Sequence, residues 1–582
     1  MLLIFIWWIQ FFAISYLVGF AVLSATSKYL PGIKKRSHFF RVFWIGYAVL
    51  ISALQYISLF SPIDYITLIS LWLFSILILF FFRKDITSSL IGFQKCSHSP
   101  FKAAIFAFLA VITVGFLLFS ACQDVYQADA YIYHFNAVRW ISEYPAVPGL
   151  IHLHDRLAFN SSFFLFAALN NIWLFKDAYF HSALSFLVVM TTMQWIAVLL
   201  TNRYNWKQKL FVILSAPFLI IAIVLSDRVS SVSTDLSSFL MALVFTLELL
   251  DQDRYRLLFL SALSVCVFSF KLIGLTAVFV YLVLVVTKIP RLITKKRGLK
   301  TPGAKILIAS LALFVLGISG FLARNAILSG WLLYPAPIAV FNLHLPWSIP
   351  LADVQATKDI TTHFARTMSP GATMGFFEWL WPWLGKWKSY FEILLLFTGI
   401  GFFISNICVP SLRKMVRSFK AQYFSVALYG ALSLAIWFYG APDMRLGRAY
   451  FWIFFAISSI PLLLFLKQQS NLKMFSACSF LIFFVLSFVF FNNYWHALVK
   501  MDEPGMITLT KPHPWPVEKI TINDDNPPLE VYVPLPVRRH PWCGNSPLPC
   551  AQDYKSLVVN RVRQRVPGDL SKGFIRDFAM HK

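Results

Sequence analysis

The chain has 582 residues, of which 58% are hydrophobic, 17% aromatic and only 13% charged. A soluble chain carries about 25% charged residues, so there is too little polar surface here to coat a water-soluble globule of this size. The net charge of +25 does not point to a nucleic-acid partner, because the basic residues sit in short loops between apolar runs, the positive-inside pattern of membrane proteins.

Apolar runs near the ~20 residues needed to cross a bilayer recur along the chain. They predict an all-α polytopic membrane protein, a bundle of about fourteen spans. The runs lie near 3–25, 42–60, 65–82, 103–121, 177–200, 210–225, 235–250, 257–270, 272–287, 306–322, 390–409, 421–439, 449–466 and 474–491. The first run, Met1 to Leu23, is too long for a signal-peptide core and lacks a basic start and a cleavage site, so it reads as a retained span. Every other loop is basic: Lys28, Lys34, Lys35, Arg36 and Arg41 in the first, Arg83, Lys84, Lys95 and Lys102 in the third, Arg203, Lys207 and Lys209 in the fifth. The ninth holds seven cations from Lys288 to Lys305, and the eleventh holds Arg413, Lys414, Arg417 and Lys420. These loops are expected in the cytoplasm, with both termini outside.

Residues 257–287 form one apolar run interrupted by Lys271. A charge at the bilayer centre costs roughly 2.5–3.5 kcal/mol on insertion scales, and one long helix would put the basic ninth loop outside. Two short helices with Lys271 at their outer turn satisfy both constraints. The alternation leaves two long outward loops, 122–176 and 323–389, after which the multi-span domain 1–491 gives way to an outward tail, 492–582. The tail is Pro-rich and reads as a small extracytoplasmic domain with little regular helix. Cys543 and Cys550, in "WCGNSPLPC", are expected to form a local disulfide in an oxidising compartment.

The stretch "CQDVYQADAYIYHF" places Asp124 and Asp129 just outside the 103–121 run. From Asp129 the pattern continues as a helix, with Ile132, Phe135 and Val138 as an apolar stripe and Asp129, Tyr133 and Asn136 on another face. Such a helix would lie on the membrane surface and present Asp129 to water. A second interfacial helix is expected in 156–173, joined to the first by "EYPAVPGLIHLHD". Aspartate is also favoured at helix starts, so capping is the alternative role for both acids.

The predicted topology brings further ionisable groups to the same outward surface: Asp227, Arg228, Asp235, Lys271, Arg324, Asp443, Arg445 and Arg448. In so apolar a chain, membrane-edge charges are functional candidates. The cations can hold a phosphate, and a carboxylate can serve as general base toward a hydroxyl or amine. The competing roles are snorkelling for Lys271 and pairing with lipid phosphates for Arg324 and Arg448. His152 and His154 lack a third metal-ligating partner and read as structural or substrate contacts. No P-loop, dinucleotide fingerprint, zinc-binding helix or nucleophile elbow is present.

At these residues the chain resembles the GT-C superfamily of membrane glycosyltransferases, which use polyprenyl-phosphate-linked sugars and carry an acidic motif in the first large outward loop. "DAYIYH" (129–134) matches the family's Asp and Tyr, while Ala130 stands where that family often has Glu. The resemblance implies that Asp129 is the catalytic base, with Asp124 as second acid and Tyr133 and His134 beside the substrate. Looser matches follow in chain order: "STDLSSF" puts Asp235 beside the site, "FKLIGL" puts Lys271 near the donor phosphate, "RNAILSGWLLYPAP" suggests Arg324, and "APDMRLGR" suggests Arg445 with Arg448. The implied reaction is inverting transfer of a sugar from the lipid-linked donor to a glycan, lipid or protein acceptor, on the outer face of a bacterial inner membrane. A divalent metal could bridge Asp124, Asp129 or Asp235 to a diphosphate donor, but nothing in the sequence requires one. A polymerase or ligase of lipid-linked polysaccharide is the first alternative, and a transporter or flippase is the second.

Overall fold

A computed structural model describes residues 1–94, 100–123, 125, 127–221, 229–290, 301–367, 375–387, 391–468, 516–523, 527–535, 542–551 and 554–576. The expected span 474–491, Asp124, Asp227 and Arg228 lie outside these residues. Among the described residues, nine helices are long and apolar enough to cross a membrane: Leu2–Ser27, Phe39–Phe60, Tyr65–Arg83, Pro100–Ala121, Tyr179–Leu200, Pro302–Ser329, Phe391–Cys408, Lys420–Gly440 and Met444–Gln468. The protein is therefore a helical membrane-embedded chain.

Four expected spans correspond to shorter helices: Trp206–Ile221, Thr234–Leu249, Arg256–Phe270 and Leu275–Val286. A helix of 16 residues reaches only about 24 Å at 1.5 Å per residue, against a hydrocarbon core of about 30 Å. The physical reason is visible at Thr234–Leu249, where every residue is buried within the protein. A helix enclosed by other helices need not match the lipid. By contrast, Tyr65–Arg83 and Pro100–Ala121 leave most of their apolar side chains uncovered, among them Phe80, Phe81, Phe108 and Val111. Such a continuous exposed apolar surface marks a lipid-facing side.

The expected break at Lys271 is present. Arg256–Phe270 ends there in extended backbone (φ −158°, ψ 138°), a short 3-10 turn spans Leu272–Gly274, and the next helix begins at Leu275. The chain doubles back, bringing Gly274 against the carbonyl of Val267.

The first two long helices cross backbone to backbone. A Cβ built on Gly46 would lie 1.8 Å from the Ser15 carbonyl oxygen, and one on Gly19 would lie 1.8 Å from that of Val42. Small residues allow this close approach where no hydrophobic force drives helices together. Gly46→Ala would gain roughly 1 kcal/mol of helix propensity, but the clash is with backbone, which cannot swing aside. Overpacking costs about 1–3 kcal/mol, so we expect a net loss, read as a lower melting temperature of the detergent-solubilised protein.

In the tail, β1 (Val517–Thr521) pairs antiparallel with β2 (Glu530–Pro534), and β3 (Val562–Gln564) pairs antiparallel with β4 (Phe574–Arg576). Cys543 and Cys550 are disulfide-bonded.

Candidate active site

Two ends of the Thr234–Leu249 helix carry charge. At its C-terminal end Glu248 receives Arg41 through Nε (3.0 Å) and Nη2 (2.5 Å), and Asp251 accepts from the same guanidinium at 2.6 Å. This buried set ties the helix to the start of Phe39–Phe60. At the N-terminal end Ser233 caps the first turn by accepting the Leu236 N–H at 3.3 Å. That turn carries Asp235, 4% exposed, where the helix dipole favours a negative charge.

Asp235 forms an ion pair with Lys271, delivered by the break after Arg256–Phe270. The guanidinium of Arg445 lies 3.6 Å from the other Asp235 oxygen, and its Nη1 donates to Asp129 at 2.9 Å. Arg445 is set by Asp443, whose carboxylate accepts the Arg445 backbone N–H at 2.9 Å as Met444–Gln468 begins. A third cation, Arg156, stands 3.5 Å from the second oxygen of Asp129. Four distant parts of the chain thus meet in one alternating row, Lys271, Asp235, Arg445, Asp129, Arg156, with one positive charge in excess.

The turn at Asp129 differs from the expected amphipathic helix. Ala130–His134 is one turn of π-helix, leading into α-helix only at Phe135–Glu143. The wider turn breaks the spacing that would put Asn136 beside Asp129, and Asn136 is 2% exposed. Nor is the helix an open surface helix, for Phe135, Ala137, Val138, Trp140 and Ile141 are all buried. Such π turns often occur at functional sites. Tyr133 lies under the Arg156 guanidinium, 5.8 Å from ring centre to charge. His134 is 1% exposed, packs against Tyr133 and Phe164, and has no hydrogen-bond partner on either ring nitrogen among the described residues.

Arg324 is not part of the row. It is 5% exposed on the Pro302–Ser329 helix and donates to the side chain of Asn160, which in turn donates to the Phe321 carbonyl at 3.1 Å. Its Nε has no partner among the described residues. Close by, one helical turn back, Gly320 faces Gln55 of Phe39–Phe60, which is 1% exposed and whose amide is also without a partner among the described residues. Arg448 pairs instead with buried Glu392 at 2.8 Å. His152 bonds the Trp347 carbonyl at 3.1 Å, and His154 accepts the Arg156 N–H at 3.1 Å. Of the expected site residues, the structure joins Asp129, Asp235, Lys271 and Arg445 directly. Tyr133 and His134 adjoin them, and Arg324 and Arg448 have separate partners. Arg156, Asn160 and Glu392 were not singled out from sequence, although Arg156 and Asn160 lie within the segment read as a second interfacial helix.

A family model matches residues 1–452 of this chain. The chain belongs to that family, described as a domain of unknown function (DUF8201). The DUF8201 match takes in every member of the charged row and ends within Met444–Gln468, before the tail. Comparison with curated proteins and with solved structures found no match.

Electrostatics assign different states to the DUF8201 site's groups. Burial acts to raise the pKa of Asp129, but the charges of Arg445, Arg156 and Lys271 together outweigh it and hold the carboxyl below its usual range. Burial pushes Tyr133 up, with Asp129 adding to the effect. Burial pushes His134 down to about 3, despite the opposing pull of Asp129, and His152 down to about 4. These histidines are neutral in the fold but take up protons near pH 6.5 once unfolded. Their contribution is complete above about 6.5 and is lost as pH falls toward 4 for His152 and toward 3 for His134, because the unfolded chain then binds more protons. Thermal stability in detergent is expected to decline across that window, and His134→Phe is expected to flatten part of the decline. An unchanged pH profile in that variant would show that His134 is not the group responsible.

Proposed function

We propose that this protein is a GT-C-like membrane glycosyltransferase that moves a sugar from a polyprenyl-phosphate donor to an acceptor hydroxyl or amine. The reading includes about fourteen spans, both termini outside, and a site opening on the outer face of the inner membrane. The single observation that carries it is the alternating row, in which two carboxylates share three cations at one end of a buried helix. A base and a phosphate clamp are the two parts such a transfer needs.

In the row, Asp129 is ionised but its basicity is suppressed by Arg445. Arg445 is also the more exposed partner, with 42% of its side chain accessible against 20% for Asp129. A donor phosphate arriving at the row competes for Arg445 and Arg156. As Arg445 turns to the phosphate, burial dominates at Asp129 and its affinity for a proton rises. The carboxylate then takes the proton of the acceptor hydroxyl. The acceptor oxygen forms a bond to the anomeric carbon as the bond from that carbon to the phosphate oxygen breaks. The lipid phosphate leaves with the electron pair, stabilised by the cations, and the anomeric configuration inverts. Lys271 holds Asp235 in place and sets the positive field behind the phosphate. Arg324, buried, bonded to Asn160 and without a carboxylate among the described residues, is the further cation available to an anionic group.

The test is transfer by Asp129→Asn in membranes containing normal amounts of the protein. Wild-type activity there would end the assignment of Asp129. The alternative of a lipid-linked polysaccharide polymerase predicts instead that Arg445→Ala is the more damaging change.

A further inference from the structure

We infer that the C-terminal tail is a positioning clamp, which holds the π turn bearing Asp129 against the membrane domain. The inference rests on the reading of Asp129 as part of the active site, but the clamp itself is argued from contacts alone. It concerns a segment that the matched family region does not include.

The first contact is with the turn itself. The Gly544 N–H donates to the Tyr131 carbonyl at 2.8 Å, within the π segment. Trp542 stacks on the Tyr131 ring, with centroids 6.3 Å apart and planes 19° apart. Arg139, further along the same helix, donates to the Asn545 carbonyl at 3.1 Å. These three tail residues lie in or next to the short loop closed by Cys543 and Cys550, and Tyr532 of β2 forms an isolated bridge to Cys550. The disulfide therefore ties the contact loop to the tail's sheet.

The second contact is a seam where two backbones touch. Phe574 donates to the Pro148 carbonyl at 2.9 Å and its ring meets Trp140 edge-on. Both sides of the seam use glycine in left-handed backbone. Gly573 (φ +87°) would place a Cβ 1.9 Å from the Pro148 oxygen, and Gly149 (φ +67°) would place one 2.2 Å from the Phe574 oxygen. A side chain on either residue would separate the surfaces as well as strain its own backbone. So close an approach from both partners is the mark of a built interface. The seam is anchored below, since the Gly149 N–H donates to Ile327 at 2.9 Å on the helix that carries Arg324.

The third contact reaches the other outward loop. Arg576 pairs with Asp353 at 2.9 Å, and Arg565 lies over the ring of Trp347 at 4.7 Å. The tail thus bridges the two long loops and grips the segment between Asp129 and Gly149 at both of its ends. A single π turn is a rare local conformation, and the tail supplies contacts that hold it from outside. Trp542, Gly544 and Gly573 are positioning residues, acting on the row through the Asp129–Gly149 segment.

Hydrogen exchange on the purified full-length protein tests this directly, comparing wild type with Gly573→Ala, Trp542→Ala and Trp542→Phe. The first two are expected to speed amide exchange across residues 130–143 by about tenfold or more, as local opening becomes easier. The Phe39–Phe60 helix should keep its protection. Trp542→Phe, which retains a ring to stack on Tyr131, should restore protection at 130–143. In a transfer assay kcat should fall and recover in step with these changes. Wild-type protection at 130–143 in Gly573→Ala, with β4 visibly loosened, would overturn the clamp. So would loosened exchange that leaves kcat untouched while Asp129→Asn abolishes transfer. Loosened exchange together with full activity of Asp129→Asn would instead retain the clamp and remove the active-site reading.

Discussion

Lys271→Met is expected to destabilise the protein by about 3 kcal/mol or more, because it leaves a buried carboxylate without its main partner. Asp235 has only 6% of its side chain accessible, and Lys271 27%. Removing one member of a buried pair costs far more than the pair contributes, since the remaining charge keeps its desolvation penalty. Arg445, 3.6 Å away, offers Asp235 partial relief, which places the effect at the lower end of the roughly 3–5 kcal/mol range for such breaks. The double variant Lys271→Met/Asp235→Asn removes both charges and should recover most of the loss. Melting of the detergent-solubilised protein, followed by intrinsic fluorescence, measures all three. If the single variant melted like wild type, Lys271 would not be holding Asp235, and the row would lose its inner end.

The second expectation separates chemistry from folding. Asp129→Asn should lower the rate of sugar transfer by about 10²–10⁴-fold, the usual contribution of a positioned general base. Its effect on stability should be small. Arg445 is 42% accessible, and partly exposed ion pairs contribute only about 0–1 kcal/mol. A large kinetic loss at nearly unchanged melting temperature is therefore the signature of Asp129, whereas Lys271→Met should show the stability loss first. If Asp129→Asn lost activity only in proportion to lost protein, the carboxylate would be structural.

The break at Lys271 was legible in the sequence because its cause is one-dimensional: a lysine in an apolar run has a transfer cost that a turn removes. The candidate residues were legible for a similar reason, as charges are conspicuous where so little else is polar. Their pairing was not. Which acid receives Arg445 depends on how Met444–Gln468, Thr234–Leu249 and the Asp129 turn meet, and no spacing encodes that. Arg156 escaped notice because it opens the segment 156–173, read from sequence as an interfacial helix, whereas it stands on a short 3-10 turn, Asp155–Ala158. The helical face drawn through Asp129, Tyr133 and Asn136 failed where an α period was applied to a π turn. Thr234–Leu249 matches the expected run 235–250 in length, but its enclosure by protein was not legible, because hydrophobicity alone does not distinguish a lipid surround from a protein one. In the tail, the local pair Cys543–Cys550 could be read from its spacing in a Pro-rich loop, but the docking of that loop on Tyr131 could not.

The central claim is that the charged row transfers a sugar from a lipid phosphate. The most direct measurement uses the purified full-length protein in vesicles, supplied with defined polyprenyl-phosphate sugars and a mixture of glycan and lipid acceptors. The account predicts release of free polyprenyl phosphate that depends on acceptor, inverts the anomeric centre and disappears in Asp129→Asn. Movement of the intact lipid-linked sugar between leaflets, with no release of the lipid phosphate and no dependence on acceptor, would contradict it.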